Sequence, residues 1–343
     1  MSRLVSIVMP CRNEADHLAH AVDDAFAQER DGLELEVLLA VGPSTDGTEL
    51  IARTLKDRYA ALHVLPNPQG VVPYGLNAAI RAAHGDVIVR MDAHSRYPAN
   101  YVAELVRALD RTGADNVGGV WETVPADDSD QAWAIARALS SPLGVGNALF
   151  RLGTTEECEV DTVPYGCWRR SLFDRIGLFD VELLRNQDDE FNGRIIRHGG
   201  RIVMLPGVRI RYTARKDLSR LWRMYREYGL FKPLVNRKLG APATARQFVP
   251  PLFVLALVGL PLLALFAPVF AVPWCAMLVL YLSVVALVSA RIAFSGGRPR
   301  ALPWMMAAFA CTHLSYGIGY LQGIWRFLII RRAMPPGDLA TNR

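Results

Sequence analysis

Hydrophobic positions in the first half of the chain alternate between two spacings. Short β-rich runs, "LVSIVMP" at 4–10, "LEVLLAV" at 35–41, "LHVLPN" at 62–67 and "DVIVRMD" at 86–92, have the length and β-branched content of buried strands. Helical spacing fills the gaps. "DHLAHAVDDAFAQ" at 16–28 puts Leu18, Ala21, Val22, Ala25 and Phe26 on one face, "STDGTELIARTLKDRY" at 44–59 can be capped by Ser44 or Asp46, and "GLNAAIRAAHG" spans 75–85. Strands and helices in this order predict an open, parallel α/β sheet, which binds its ligand beyond the carboxyl ends of its strands where the strand order reverses.

Three polar clusters fall at that edge: "CRNE" after the first strand, "GPSTDGT" after the second and "DAHS" after the fourth. One alone would read as turn chemistry or a helix cap. Three at one edge of one sheet point to a site. A further polar group opens "LRNQDDEFNGRIIRHGGRIVMLP" at 184–206, where Asp188, Asp189 and Glu190 begin a predicted helix that is followed by a strand. Such acids commonly serve the helix dipole. Successive helical positions diverge by ~100°, so one or two of the three carboxylates can face a single pocket, and one of those is a candidate general base.

The second half of the chain reads differently. Residues 248–270 and 272–290 carry no charge and are each long enough to cross a bilayer, with Pro268 and Pro273 at the tight connection between them. A third apolar stretch, 302–325, is diluted by His313, Gln322 and several glycines, and reads as a third span or as a re-entrant or interfacial helix. Arg291, Arg298 and Arg300 place the loop after the second span in the cytoplasm. The helix predicted over 218–231 carries Leu218, Leu221, Trp222 and Tyr225 as an apolar stripe, suited equally to packing under the α/β domain and to lying on a membrane surface.

Composition narrows the function classes. The 343 residues suit about two domains, and the expected division is 1–215 as the α/β domain, 216–245 as an amphipathic helix and linker, 246–330 as the membrane region and 331–343 as a polar tail. "MSRLVSIVMP" lacks the features of a secretory signal, so the first domain is expected in the cytoplasm of a multi-pass protein of the cell membrane. A formal charge of +5, with basic residues near the apolar segments, favours anionic lipid over nucleic acid as a partner. Five scattered cysteines give neither a disulfide frame nor a zinc site.

With these residues in view, the chain resembles the family 2 glycosyltransferases of GT-A fold, a nucleotide-diphospho-sugar transferase fold of Rossmann-like type. Within the family it is most similar to the membrane-associated group that includes the succinoglycan-biosynthesis glucosyltransferase. "SIVMPCRNE" resembles the first nucleotide-binding strand and loop, "VRMDAH" the metal-binding DXD motif, "GCWRRSLFDRIGLFD" the segment beneath the acceptor, and "NQDDEFNGRIIRHGG" the segment that supplies the base. The resemblance implies a UDP-hexose donor held by Pro10, Arg12, Glu14, Asp46, Asn77, Arg90 and Asp92. It also implies a divalent Mg²⁺ or Mn²⁺ on Asp92 and His94, Asp188 as the base of an inverting displacement, and an acceptor or diphosphate held by Trp168, Asp189, Arg223 and Arg226. Strand alternation would turn Asp92 and His94 to one side with Arg90 behind them and Ala93 away.

The chain departs from the family's pattern in three places. Val41 and Gly42 stand where paired aspartates are usual, Gln187 replaces a glutamate, and "RMYREYG" at 223–229 lacks the tryptophan of processive synthases, which argues for one sugar per encounter. The expected function is transfer of a hexose, glucose first, to a polyprenyl-diphosphate-linked glycan in exopolysaccharide synthesis. The alternatives are a polyprenyl-phosphate sugar synthase and a catalytically silent membrane scaffold or nucleotide-sugar sensor.

Overall fold

The computed structural model of the protein describes residues 3–242 and 244–335. The chain forms two compact units. One takes in residues up to Glu122 together with Leu149–Tyr212, and the other consists of Thr123–Ala148 and Thr213–Ala333. The expected division at 215 thus misses an excursion, since residues 123–148 leave the first unit and return to it.

In chain order the first unit runs β1 (Arg3–Cys11), α1 (Leu18–Phe26), β2 (Leu33–Val41), α2 (Thr48–Arg58), β3 (Leu62–Pro66), α3 (Val72–Ala82), β4 (Val87–Arg90), β5 (Ser95–Arg96), α4 (Tyr101–Thr112) and β6 (Asn116–Val124). The excursion carries α5 (Asp130–Ala138) and α6 (Pro142–Val145). The first unit resumes with α7 (Leu149–Leu152), β7 (Cys158–Glu159), β8 (Cys167–Arg169), α8 (Ser171–Ile176), α9 (Gln187–Arg197) and β9 (Ile202–Thr213).

The strands form one nine-stranded sheet in the order β3-β2-β1-β4-β8-β6-β9-β5, with β7 beside β9. β1 lies parallel to β2 along its whole length, from Arg3 opposite Leu33 to Cys11 opposite Val41, and parallel to β4 on its other side, with Val5 opposite Val87. The order therefore reverses between β1 and β4, and the loops that follow these two strands meet at the switch point. β8 continues the sheet antiparallel to β4.

Strand alternation sorts the core into two layers. Val5, Ile7, Met9, Val37, Leu39, Val87 and Val89 pack with Leu18 and Val22 of α1, Leu55 of α2 and Leu105 of α4. Their neighbours Val8, Leu38 and Ile88 pack on the other face with Leu76 and Ile80 of α3 and with Phe191 and Ile195 of α9. A sheet with helices on both faces follows from strands that carry apolar residues on both faces, and the buried exceptions in β1 and β2 satisfy each other, Ser6 Oγ donating to Glu36 Oε1 at 2.6 Å.

The second unit contains α5, α6, α10 (Leu218–Leu239), α11 (Val249–Ala264), α12 (Ala271–Ser295) and α13 (Leu302–Gly323). Among the described residues, two helical segments, Ala245–Ala264 and Pro268–Ser295, are long and apolar enough to cross a membrane. Their leucines and valines, such as Leu252, Val258, Leu262, Val279 and Leu280, point away from the protein. The third apolar stretch behaves otherwise. α13 buries Met305, Phe309 and Tyr320 inside the unit and packs along α10, which extends eight residues beyond the predicted 231. Glycine permits this contact, because a Cβ at Gly319 would collide with the Arg226 carbonyl and one at Gly229 with the Tyr316 carbonyl. α10 buries Leu221, Met224 and Tyr225 within the second unit, in one cluster with residues of α5 and α13, while Trp222 stays 37% exposed.

Candidate active site

Arg90 ends β4 with its guanidinium buried, 3% exposed. Its Nε donates to Asp92 Oδ1 at 2.8 Å, its Nη2 to Asp92 Oδ2 at 3.0 Å, and its Nη1 to Asp188 Oδ1 at 2.5 Å. One guanidinium thus bridges the turn after β4 to the first turn of α9. Burial works against the charge on Arg90, but Asp188 and then Asp92 more than offset it. One cation against two carboxylates leaves one negative charge at the clamp.

Tyrosines surround this clamp. The Asp92 N–H donates to Tyr97 Oη at 2.6 Å, Tyr101 Oη donates to the Arg90 carbonyl at 3.3 Å, and the Arg90 guanidinium lies 5.5 Å from the Tyr165 ring centroid. Tyr165 Oη and Ser95 Oγ are 2.6 Å apart. Burial holds all three phenols well above their ordinary pKa, so they remain neutral donors and acceptors. Tyr165 and Gly166 both have positive φ, 63° and 97°, and a Cβ on Gly166 would strike Asn116 and Trp168, so the bend between them requires glycine.

Asp188 keeps 31% of its side chain accessible, whereas Arg90 keeps 3%. Its carboxyl is pushed up to about 6, first by burial and then by Asp92 and Asp189, with Arg90 opposing. Its neighbours diverge as helix geometry requires: Glu190 is buried and pairs with Arg194 at 2.6 Å one turn on.

The loops after β1 and β2 are tied together beside this clamp. The Asn13 N–H donates to Ser44 Oγ at 3.1 Å, the Thr45 N–H to Asn13 Oδ1 at 2.9 Å and the Glu14 N–H to Thr48 Oγ1 at 2.8 Å. Arg12 reaches the carbonyls of Pro43 (3.1 Å) and Gly70 (3.3 Å), bridging the loops after β1, β2 and β3. Buried Glu14 brings Oε1 to 3.6 Å from His94 Nδ1. The switch point therefore gathers Arg12, Glu14, Arg90, Asp92, His94 and Asp188. Pro10 lies buried in β1 beneath Gly75.

Other sequence expectations meet a different geometry. β4 stops at Arg90, so Asp92 and His94 sit in a turn, closed by the Ser95 N–H donating to the Asp92 carbonyl at 3.2 Å, and not on an alternating strand. Asn77 does not face a nucleotide: its Nδ2 donates to the Phe179 carbonyl at 2.8 Å and its Oδ1 accepts from the Phe179 N–H at 3.0 Å, clipping α3 to a distant loop. Trp168, 2% exposed, packs edge-on against Phe173, Phe179 and Phe191 and is core, with no face for an acceptor. Asp46 accepts from the N–H groups of Ala15 and Thr48 and from Thr48 Oγ1. These bonds outweigh slight desolvation and hold it below the usual carboxylate range. Its oxygens organise the loop. Arg223 and Arg226 belong to the second unit, where Arg226 donates to Gln322 of α13 at 2.9 Å.

A divalent cation fits the residues present. Each Asp92 oxygen takes one hydrogen bond from Arg90 and retains a lone pair. A carboxylate with an imidazole is a donor set that Mn²⁺ accepts, and Mg²⁺ binds through one or two carboxylates plus substrate phosphates. Among the described residues no cluster of three or more His, Cys, Asp or Glu side chains forms a complete protein cage.

Comparison with known proteins agrees with this architecture. Residues 6–177 match the model of glycosyl transferase family 2. The chain is 32% identical over 246 residues to the succinoglycan biosynthesis protein ExoA of Rhizobium meliloti, covering 71% of this chain and 73% of that protein. It is 25% identical over 243 residues to the dolichyl N-acetyl-alpha-D-glucosaminyl phosphate 3-beta-D-2,3-diacetamido-2,3-dideoxy-beta-D-glucuronosyltransferase of Methanococcus voltae, covering 68% of this chain and 74% of that protein. In fold it is similar to residues 1–349 of S. aureus TarS in complex with UDP-GlcNAc, with a TM-score of 0.51, 16% identity and coverage of 92% of this chain and 90% of that one. GalNAc-T7 with UDP, GalNAc and Mn²⁺ is similar over 68% of this chain and 49% of that one, with a TM-score of 0.50 and 16% identity.

Proposed function

Because this chain belongs to glycosyl transferase family 2 and is a glycosyltransferase of glycan synthesis, we propose that it moves a hexose from a UDP-sugar to a lipid-linked saccharide with inversion. The observation that carries this reading is the Arg90 clamp, which fixes a part-exposed carboxylate, Asp188, opposite Asp92 at the switch point. Asp188 takes the proton of the attacking acceptor hydroxyl, and its pKa near 6 leaves it ionised yet basic at neutral pH. Arg90 holds it in position, so part of the entropic cost of reaction is met by the fold. Asp92 and His94 would hold Mg²⁺ or Mn²⁺, which when bound neutralises charge developing on the departing diphosphate. Arg12 and Glu14 shape the adjoining wall for the nucleotide.

The two apolar helical segments seat the protein in the cell membrane as a multi-pass protein, with the first unit on the cytoplasmic side and lipid as its working surface. The name of the Methanococcus voltae relative, which acts on a sugar already joined to a lipid phosphate, favours a saccharide acceptor over a bare lipid phosphate.

The test uses the full-length protein in detergent with a panel of nucleotide sugars and polyprenyl-diphosphate-linked acceptors. Nucleoside diphosphate release coupled to a new inverted glycosidic bond is expected. A sugar phosphodiester as sole product would instead identify a polyprenyl-phosphate sugar synthase, and no release from any donor would identify a silent scaffold or sensor.

A further inference from the structure

Arg151, in α7, is an arginine in an apolar stretch, "NALFRLG", and is 7% exposed. Its guanidinium carbon lies 4.5 Å from the ring centroid of Trp121, 5.3 Å from that of Tyr212 and 5.6 Å from that of Phe150. Trp121 stacks flat on Tyr212 with centroids 4.2 Å apart and meets Phe150 edge-on at 5.3 Å, so these rings form a cage. The cage is continuous with the active site on two sides. Tyr212 meets His94 edge-on at 6.3 Å, and Trp121 lies 5.6 Å from Tyr165, the ring that carries Arg90.

Two buried donors in this cage, Arg151 Nη1 and Trp121 Nε1, have no hydrogen-bond acceptor. Aromatic faces stabilise a cation through their quadrupole, yet they leave the in-plane N–H groups of a guanidinium unsatisfied. Buried donors without partners are rare enough in folded proteins to require a reason. A cationic ligand would be repelled by Arg151 and an apolar one would leave both donors bare. A group that accepts several hydrogen bonds and carries negative charge satisfies both, and the guanidinium fork matches the oxygens of a phosphate or carboxylate.

We propose that Arg151, assisted by Trp121 Nε1, binds an oxyanion of the substrate, within the transferase reading given above. The same chemistry has two sources, the diphosphate of the sugar donor and the phosphate that joins the acceptor glycan to its lipid.

Calorimetric titration of the full-length protein in detergent with inorganic diphosphate tests the site without turnover. R151Q is expected to weaken binding by about tenfold or more, and R151K to retain part of it, because lysine supplies charge without the fork. W121F keeps a ring and removes one N–H, with an expected loss of roughly 3-fold. Should R151Q fail to fold, W121F and R151K carry the test. The source follows from two further measurements. A raised UDP dissociation constant with unchanged acceptor KM at saturating donor assigns the donor, and the reverse assigns the acceptor. Folded R151Q and W121F proteins with diphosphate, UDP and acceptor constants all within about 2-fold of wild type would overturn the site. Transfer by the wild-type protein, measured separately, decides the transferase reading itself.

Discussion

Arg90 and Asp188 lie 98 residues apart in the sequence, yet their side chains meet at 2.5 Å, and the same guanidinium holds Asp92 through two further bonds. Position and charge at the candidate base therefore depend on a residue from another element. Replacing Arg90 with Gln leaves buried Asp92 and part-exposed Asp188 without the cation they share. Breaking such a buried pair costs about 3–5 kcal/mol, and the loss of positioning is expected to lower kcat about 10²-fold or more. Thermal unfolding and steady-state kinetics of R90Q and R90K check both figures.

The rate should depend on pH through Asp188. The ionised form is the base, so kcat/KM is expected to rise roughly tenfold per pH unit up to about 6 and then level off. Stability moves in the opposite direction. An unfolded aspartate titrates near ~3.9, so between that value and about 6 the native chain binds more protons than the unfolded one, and this group's contribution falls as pH rises through that window. D188N is expected to abolish both dependences and to lower transfer by about 10²–10⁴-fold. A rate profile that is flat between pH 5 and pH 7, measured over roughly that range, would exclude Asp188 as the base.

Chelation is expected to stop nucleoside diphosphate release and added Mn²⁺ or Mg²⁺ to restore it, with D92N unresponsive to either. H94A should raise the metal concentration needed for half-maximal rate by about tenfold or more, since losing even an outer-shell partner of a metal ligand costs about 10–100-fold in affinity. Turnover indifferent to EDTA would remove the metal from Asp92 and His94.

Asn77 and Trp168 should behave as structural residues. W168A is expected to cost about 3–5 kcal/mol by opening a cavity among Phe173, Phe179 and Phe191. N77A should cost about 1–3 kcal/mol by orphaning the Phe179 N–H and carbonyl. In both, the KM of the fraction that remains folded should match wild type. A selective rise in KM with unchanged stability would return these residues to substrate binding.

The parallel half of the sheet was legible in the sequence because β1, β2 and β4 carry apolar residues on both faces, with Ser6, Glu36 and Arg90 as buried exceptions, a pattern that burial on both faces produces. The same pattern hid where β4 stops. A run ending "VRMDAH" does not show that Arg90 folds back onto Asp92, so the alternation argument for Asp92 and His94 failed while the pairing of Arg90 with the acids emerged only in three dimensions. Nor does sequence reveal that Asn77 is spent on Phe179, 102 residues away, or that Trp168 faces inward, because both depend on non-local packing. Arg151 left one trace, a charge within "NALFRLG", but the rings that surround it come from β6, α7 and β9.

Stopping the chain at residue 215 to obtain a soluble catalytic fragment would strip α5 of its partners. Trp133, Ile135 and Leu139 are covered by Met305, Ala308 and Phe309 of a helix that follows both candidate membrane spans. Such a fragment would present a sticky apolar strip to its neighbours and is expected to aggregate during expression. Preparations of this enzyme are therefore committed to detergent or lipid, or to a version in which residues 123–148 are replaced by a short polar linker.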